Sequence, residues 1–332
     1  MKPFLYFQPR NALQAYYYGV RLKSSPNASF LGVKGELPEY LGKYLLMKEV
    51  HRRLHPFQFV RAGDTVIHVG FDRVYLDKGQ SHPLILSSLV GARGCVLAID
   101  PDSRNTDALR DYARRSDIGN MKVDQGAAWN KPSTLEFIFD GEWSPMSTAT
   151  NVLSDPSDYH PGKGSTRQLV QAVTIDSLVA EHLPDRHVTY LSLTANGAEP
   201  EILEGADGIL RSCPELRIVI ALSNWHHFSY GIRKDTCNRL GETGFKIAVA
   251  DAPHDPWYPT PFFFACAVKM PEDQLLSLGF QPSDWAMIER AGHVKEAAIE
   301  AGRRRLMGKP ARLAVAVISK LTRGWMMKRG TG

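Results

Sequence analysis

Two apolar runs constrain this chain more than anything else in it. Thr65-Val66-Ile67-His68-Val69 is rich in β-branched residues and stops at Gly70, and Val96-Leu97-Ala98-Ile99 stops at Asp100-Pro101. Both are too short for a helix of ordinary length and have the composition of strands buried on both faces. A strand ending in glycine, then a helix, then a strand ending in an acid is the βαβ layout that holds a nucleoside. The glycine lets backbone approach the ligand, and the acid accepts from the ribose hydroxyls. The pattern therefore implies an enzyme with a nucleoside cofactor.

The alternation continues along the chain. It predicts strands at 65–69, 95–99, 121–124, 134–139, 188–193 and 217–222, with helices at 82–89, 103–115, 177–182, 200–211 and 232–242 between them. A short extended piece at 172–175 and a closing antiparallel pair at 245–250 and 262–269 complete the reading, and 147–165 reads as a loop rich in Ser, Pro, Gly and Asp. Such alternation argues for a doubly wound, mostly parallel α/β sheet with helices on both faces. Residues 1–62 form a lead-in with helical spacing over 11–18 and 38–54, residues 63–270 the α/β domain, and residues 271–332 a helical tail.

Charge sets the tail apart. From Trp285 to Gly332 eleven Lys and Arg face three acids, a local charge of +8, which leaves the rest of the chain at −3 against the overall +5. At helical pitch Arg312, Ser319, Lys320 and Arg323 share an arc, with Leu313, Val317, Ile318, Leu321 and Trp325 on the other side. A basic amphipathic helix of this kind suits an anionic membrane surface, or docks its apolar side on the protein or a second subunit. Nucleic acid is disfavoured, because aromatic stacking residues do not interleave with the basic ones. No apolar run reaches transmembrane length, and Cys95, Cys213, Cys237 and Cys266 are scattered without a paired motif. These features lead us to expect a cytoplasmic protein, peripheral at the inner face of a membrane.

Several residues are candidates for chemistry. Gly70-Phe71 opens a long turn in which Gly79 and Ser81 precede a helix start; backbone N–H groups and the Ser81 hydroxyl there suit the carboxylate of an amino-acid-like ligand. An ordinary helix cap explains the same residues. Asp100 stands where a ribose-binding acid belongs, with an Asp-Pro turn as the bland alternative. Gln125 follows the third strand, where such folds touch a base, although a β-turn explains it as well. His226-His227 follows the fifth strand, and an imidazole in that crevice can take a proton from a hydroxyl near neutral pH. The aromatic, proline-rich stretch 253–264 either walls a pocket or caps the sheet edge. No His, Cys, Asp or Glu cluster has metal-ligand spacing, and neither a Gly-x-Ser-x-Gly elbow nor a Walker lysine loop occurs.

With these residues placed, the chain resembles the FkbM-type S-adenosylmethionine-dependent methyltransferases from about Gly63 to Val268. The resemblance is carried by Val96-Leu97-Ala98-Ile99-Asp100-Pro101-Asp102 with Asn105 and Leu109, by Thr174-Ile175-Asp176-Ser177-Leu178, by Ser192-Leu193-Thr194-Ala195-Asn196-Gly197-Ala198-Glu199, and by Ile202-Leu203-Glu204-Gly205-Ala206. It implies a Rossmann-like methyltransferase fold, S-adenosyl-L-methionine as cofactor, and O-methylation of a sugar, surface glycan or secondary metabolite. Thr194 and Asn196 stand where the family carries acids, and His68 replaces its first-strand aspartate. By that comparison Thr194 and Asn196 would orient the acceptor, with His226 or His227 as base. The lost acids also suit a catalytically inactive scaffold, and Asp100 alone would serve NAD equally.

Overall fold

Five-residue strands whose every side chain is buried need cover on both faces, and the fold supplies it. The computed structural model describes residues 4–7, 57–73, 76, 81–141, 147–153, 162–223, 230–251, 262–268, 271, 273 and 281–283. In chain order the elements are β1 (Phe4–Phe7), β2 (Thr65–Val69), α1 (His82–Val90), β3 (Cys95–Ile99), α2 (Ser103–Arg115), β4 (Met121–Asp124), β5 (Ala127–Ala128), β6 (Ser133–Phe139), β7 (Thr148–Ala149) and β8 (Thr166–Val173). They continue with α3 (Ile175–His182), β9 (Tyr190–Leu193), α4 (Glu199–Glu204), α5 (Asp207–Ser212), β10 (Arg217–Ser223), α6 (Tyr230–Glu242), β11 (Lys246–Asp251), β12 (Phe262–Val268) and β13 (Gln281–Ser283).

Nine strands form one sheet in the order β13-β1-β11-β12-β10-β9-β2-β3-β4. The five central and edge strands β10, β9, β2, β3 and β4 are mutually parallel, and β12 runs antiparallel between β10 and β11. Chain order reverses between β2 and β9: β3 and β4 are laid down on one side, β9 and β10 on the other. That reversal opens a crevice at the strands' carboxyl ends, the usual ligand position of a doubly wound sheet. The fold is Rossmann-like, as the alternating pattern implied.

The opposite end of the sheet is clamped. Arg217 Nη2 meets Asp64 Oδ1 at 2.6 Å with both side chains almost fully buried. The guanidinium also donates to the carbonyls of Phe59 and Thr189, and Thr189 Oγ1 donates to Asp64 at 2.8 Å. The pair is thus hydrogen-bonded on all sides, which is what a buried ion pair needs to be tolerated.

Four features differ from the sequence reading. The expected single helix 200–211 is two, interrupted at Gly205-Ala206, where the Gly205 carbonyl accepts from Asp176 N at 3.1 Å and an added Cβ on Gly205 would come within 2.0 Å of the Trp129 carbonyl oxygen. Asp176 then caps α5 from another element, accepting from Gly208 N at 2.7 Å and Ile209 N at 3.1 Å. The extended piece at 172–175 is the end of the eight-residue β8, with Ile175 already opening α3. Part of the 147–165 loop is β7 and a 3₁₀ turn at Thr150–Val152. β8, β6, β7 and β5 make a second, four-stranded sheet in the order β5-β8-β6-β7. Finally, both extensions contribute strands, since β1 pairs in parallel with β11 and β13 antiparallel with β1. The predicted helices at 11–18 and 38–54 and the basic tail lie outside the described residues, as do Gly79, His226, His227 and residues 253–261.

Candidate cofactor crevice

The site starts where β2 runs out. Gly70 has φ +80°, and a Cβ there would lie 2.2 Å from the Thr194 carbonyl oxygen, so the close approach of β2 and β9 requires glycine. Gly70 N donates to Ile99 O at 2.9 Å and Thr194 N to Val69 O at 2.9 Å, which fixes the turn to both neighbouring strands. The Thr194 hydroxyl donates to the carbonyls of Val69 and Gly70. In this structure that side chain secures the glycine turn from the β9 side.

Asp100 lies at the tip of β3, 5% exposed. Its Oδ2 accepts from Phe71 N at 2.9 Å, and its Oδ1 accepts from Asp102 N at 2.9 Å and Asn105 Nδ2 at 3.1 Å. A carboxylate has about four lone-pair positions, so these three donors leave it one short among the described residues. Burial pushes its pKa up from 3.8 to about 7, against the opposing pull of those three hydrogen bonds. Asn105 also donates to Phe71 O at 2.8 Å and accepts from Arg73 N at 3.3 Å. It therefore stitches the glycine turn to the acid. Asn105 entered the sequence reading only as part of a resemblance, because an asparagine in a helix's first turn carries no chemical signal by itself.

Ser81, the residue before α1, is 2% exposed, and its Oγ has no hydrogen-bond partner among the described residues. It makes no side-chain cap, and Pro83 occupies the helix's first turn. A buried hydroxyl without a partner costs free energy unless a ligand or water satisfies it. An acid at β3, glycine at β2 and an unsatisfied hydroxyl beside a helix N-terminus fit a cofactor with a ribose at one end and a carboxylate at the other. Gln125 sits exposed directly after β4, on the same edge of the sheet.

Past β9 the backbone takes two consecutive left-handed residues, Asn196 at φ +51° and Gly197 at φ +95°. Asparagine is among the few residues that tolerate this. The loop is held by Glu199, 4% exposed, whose Oε1 accepts from Ala195 N at 3.0 Å and Oε2 from Gly197 N at 2.9 Å. Burial raises the pKa of Glu199, with these amides pulling the other way. Asn196 Nδ2 reaches across to Ser147 O at 3.0 Å, so the second sheet meets the crevice here. His68, fully buried on β2, shares a hydrogen bond with Ser192 Oγ at 2.9 Å and stands edge-on to His82, ring centroids 5.3 Å apart. Among the described residues no group of three His, Cys, Asp or Glu side chains converges as for a metal.

The structure thus brings Gly70, Phe71, Ser81, Asp100, Thr194 and Asn196 to one edge of the sheet. Sequence reasoning missed Arg104, Asp140 and Ser147, which join the two sheets there. Their only advance signal was the position of Asp140 at the end of an apolar strand.

Among solved structures, the methyltransferase FkbM of Methylobacillus flagellatus is 15% identical with a TM-score of 0.39, covering 77% of this chain and 59% of its own. Fibrillarin of Aeropyrum pernix, with natively bound S-adenosyl-L-methionine, is 14% identical with a TM-score of 0.40 over 68% of this chain and 74% of its own. An O-methyltransferase of Bacillus cereus in complex with SAH is 10% identical with a TM-score of 0.35 over 78% and 92%. No curated protein matches the sequence significantly. The methyltransferase FkbM domain model matches residues 77–246, half of the chain, and the protein belongs to the FkbM methyltransferase family.

Proposed function

We propose that this chain is an S-adenosylmethionine-dependent O-methyltransferase whose acceptor is a hydroxyl of a sugar, surface glycan or secondary metabolite. The observation that carries the reading is Asp100: a buried carboxylate at the tip of β3, one hydrogen bond short among the described residues, tied to the glycine turn of β2. When bound, the cofactor supplies a methyl group made electrophilic by a sulfonium centre.

The chain's own residues have three tasks. Asp100 accepts from the ribose, and Ser81 with the first amides of α1 receives the amino-acid carboxylate. Gln125 lies on the base side. Asn196 orients the acceptor oxygen, and Thr194, whose hydroxyl proton is given to backbone, can still accept from it. His226 or His227 takes the acceptor's proton, because an oxygen nucleophile aligned with the transferred carbon needs little more than positioning and deprotonation.

Calorimetric titration with S-adenosylmethionine and S-adenosylhomocysteine tests the reading. Both should bind, and Asp100→Asn should weaken each by roughly 10–100-fold, the worth of a hydrogen bond to a charged group. Absence of heat with either ligand would instead favour a methyltransferase-shaped scaffold. That second reading draws on Thr194, whose hydroxyl donates to backbone carbonyls, and on Asn196, whose amide nitrogen is tied to the Ser147 carbonyl.

The basic tail supports a location at an anionic membrane surface, where a lipid-linked acceptor would be presented. No helix of the described residues is long and apolar enough to cross a membrane. We place the protein in the cytoplasm, peripheral to the inner face.

A further inference from the structure

One run of hydrogen bonds crosses the crevice from the ribose side to the acceptor side, and it passes through the second sheet. Asp102 N donates to Asp100. Arg104 Nε and Nη2 grip the Asp102 carboxylate at 2.6–3.1 Å, and the same Nη2 donates to Asp140 O at 3.2 Å. Asp140 N donates to Ser147 Oγ at 3.1 Å, and Ser147 O accepts from Asn196 Nδ2 at 3.0 Å. Two side bonds stiffen the middle: Gly162 N donates to Asp140 Oδ2 at 2.6 Å and Gly141 N to Ser165 Oγ at 3.0 Å.

We propose that this chain of contacts is a strap, in which Arg104 and Ser147 act as positioning residues that set the acceptor-side loop according to the occupancy of the cofactor side. The inference rests on the cofactor reading above. Asp100 follows β3 and Asn196 follows β9 in the main sheet, yet the second sheet joins them through its β6 and β7 ends. The guanidinium suits the junction because its planar fork binds a carboxylate with two nitrogens while one of them still serves a carbonyl. A ribose that draws on Asp100 perturbs the bond from Asp102, and the shift reaches Asn196 through groups that are all hydrogen-bonded in turn.

Hydrogen exchange read residue by residue, with S-adenosylhomocysteine as probe, tests the strap. The informative amides are Asp140, Gly162, Ala195 and Gly197, each with a side-chain acceptor. In the full chain the probe should slow exchange at all four. Arg104→Ala should bind the probe within about threefold of the parent yet exchange at least about tenfold faster at Ala195 and Gly197 in the bound state, the loss of a hydrogen bond to a charged group being worth that much. Ser147→Ala, which leaves the cofactor side untouched, should show the same at Asp140, Ala195 and Gly197. The idea is overturned if the parent binds the probe and both variants retain its full protection at Ala195 and Gly197. If the parent itself binds no probe, the cofactor reading falls and the coupling falls with it, a result distinct from the first.

Discussion

Asp100 illustrates how one side chain can carry two opposed demands. Its carboxyl holds a proton more tightly in the folded chain, with a pKa of about 7, than in an unfolded chain, where it is near 3.8. Between those values the folded state carries the extra proton, so this group's contribution to stability declines as pH rises from about 4 and levels off above 7. Ribose hydroxyls need the ionised form as acceptor, so cofactor affinity should run the other way. Titrations of S-adenosylhomocysteine should tighten by about tenfold per unit as pH climbs toward 7 and flatten above it; a flat profile from pH 5 to 8 would remove Asp100 from the ribose. The base is tested separately. Alanine at His226 or at His227 should cut turnover by about 10²–10⁴-fold with cofactor affinity nearly unchanged, the usual worth of a general base, and normal turnover in both variants would discard the role.

The helices after β9 show what element-level packing adds to local preference. In Glu199–Ser212 taken alone Gly205 and Gly208 weaken a helix, but Pro200 suits a first turn and the apolar spacing runs on. The break falls where Asp176, almost thirty positions earlier, bonds to both sides of it, and the Trp129 carbonyl occupies the space beside Gly205. Gly205→Ala should therefore destabilise the fold by about 1–3 kcal/mol, read as a lower urea midpoint, although alanine is normally the better helix former. The same contrast explains which elements could be read in advance. β2, β3, α2 and β4 match their expected limits because the apolar runs of β2 and β3, the Asp102 cap of α2 and the apolar–charged alternation Met121-Lys122-Val123-Asp124 of β4 mark them locally. Only the end of β8 reads as extended in the sequence, because Thr166, Arg167, Gln168 and Leu169 are all exposed and no alternation marks a buried face there. The site divides in the same way. Asp100 and Gly70 stand at strand ends and were legible, whereas Arg104 and Ser147 acquire meaning only once the second sheet is folded against the first.

At the scale of the whole molecule, charge and topology are separable. The domain that carries the crevice, residues 63–270, has a net charge of −7, while positive charge lies on both flanks, +7 over residues 1–62 and +8 over the segment 285–332. Removing that segment should release the protein from anionic vesicles at low salt and leave S-adenosylhomocysteine binding unaltered; equal flotation of the shortened chain would show that the tail does not anchor it. The order of the large sheet has a different consequence. β1 precedes every other described strand, but its partner β11 lies about 240 residues further on, and Phe4 pairs with Ile247. At translation speeds of about 5–20 residues per second the leading strand waits on the order of 10–50 s for a neighbour. The nascent chain therefore has β2, β3 and β9, the strands of the crevice, in hand first and closes the far rim of the sheet last, after the ribosome has passed β11.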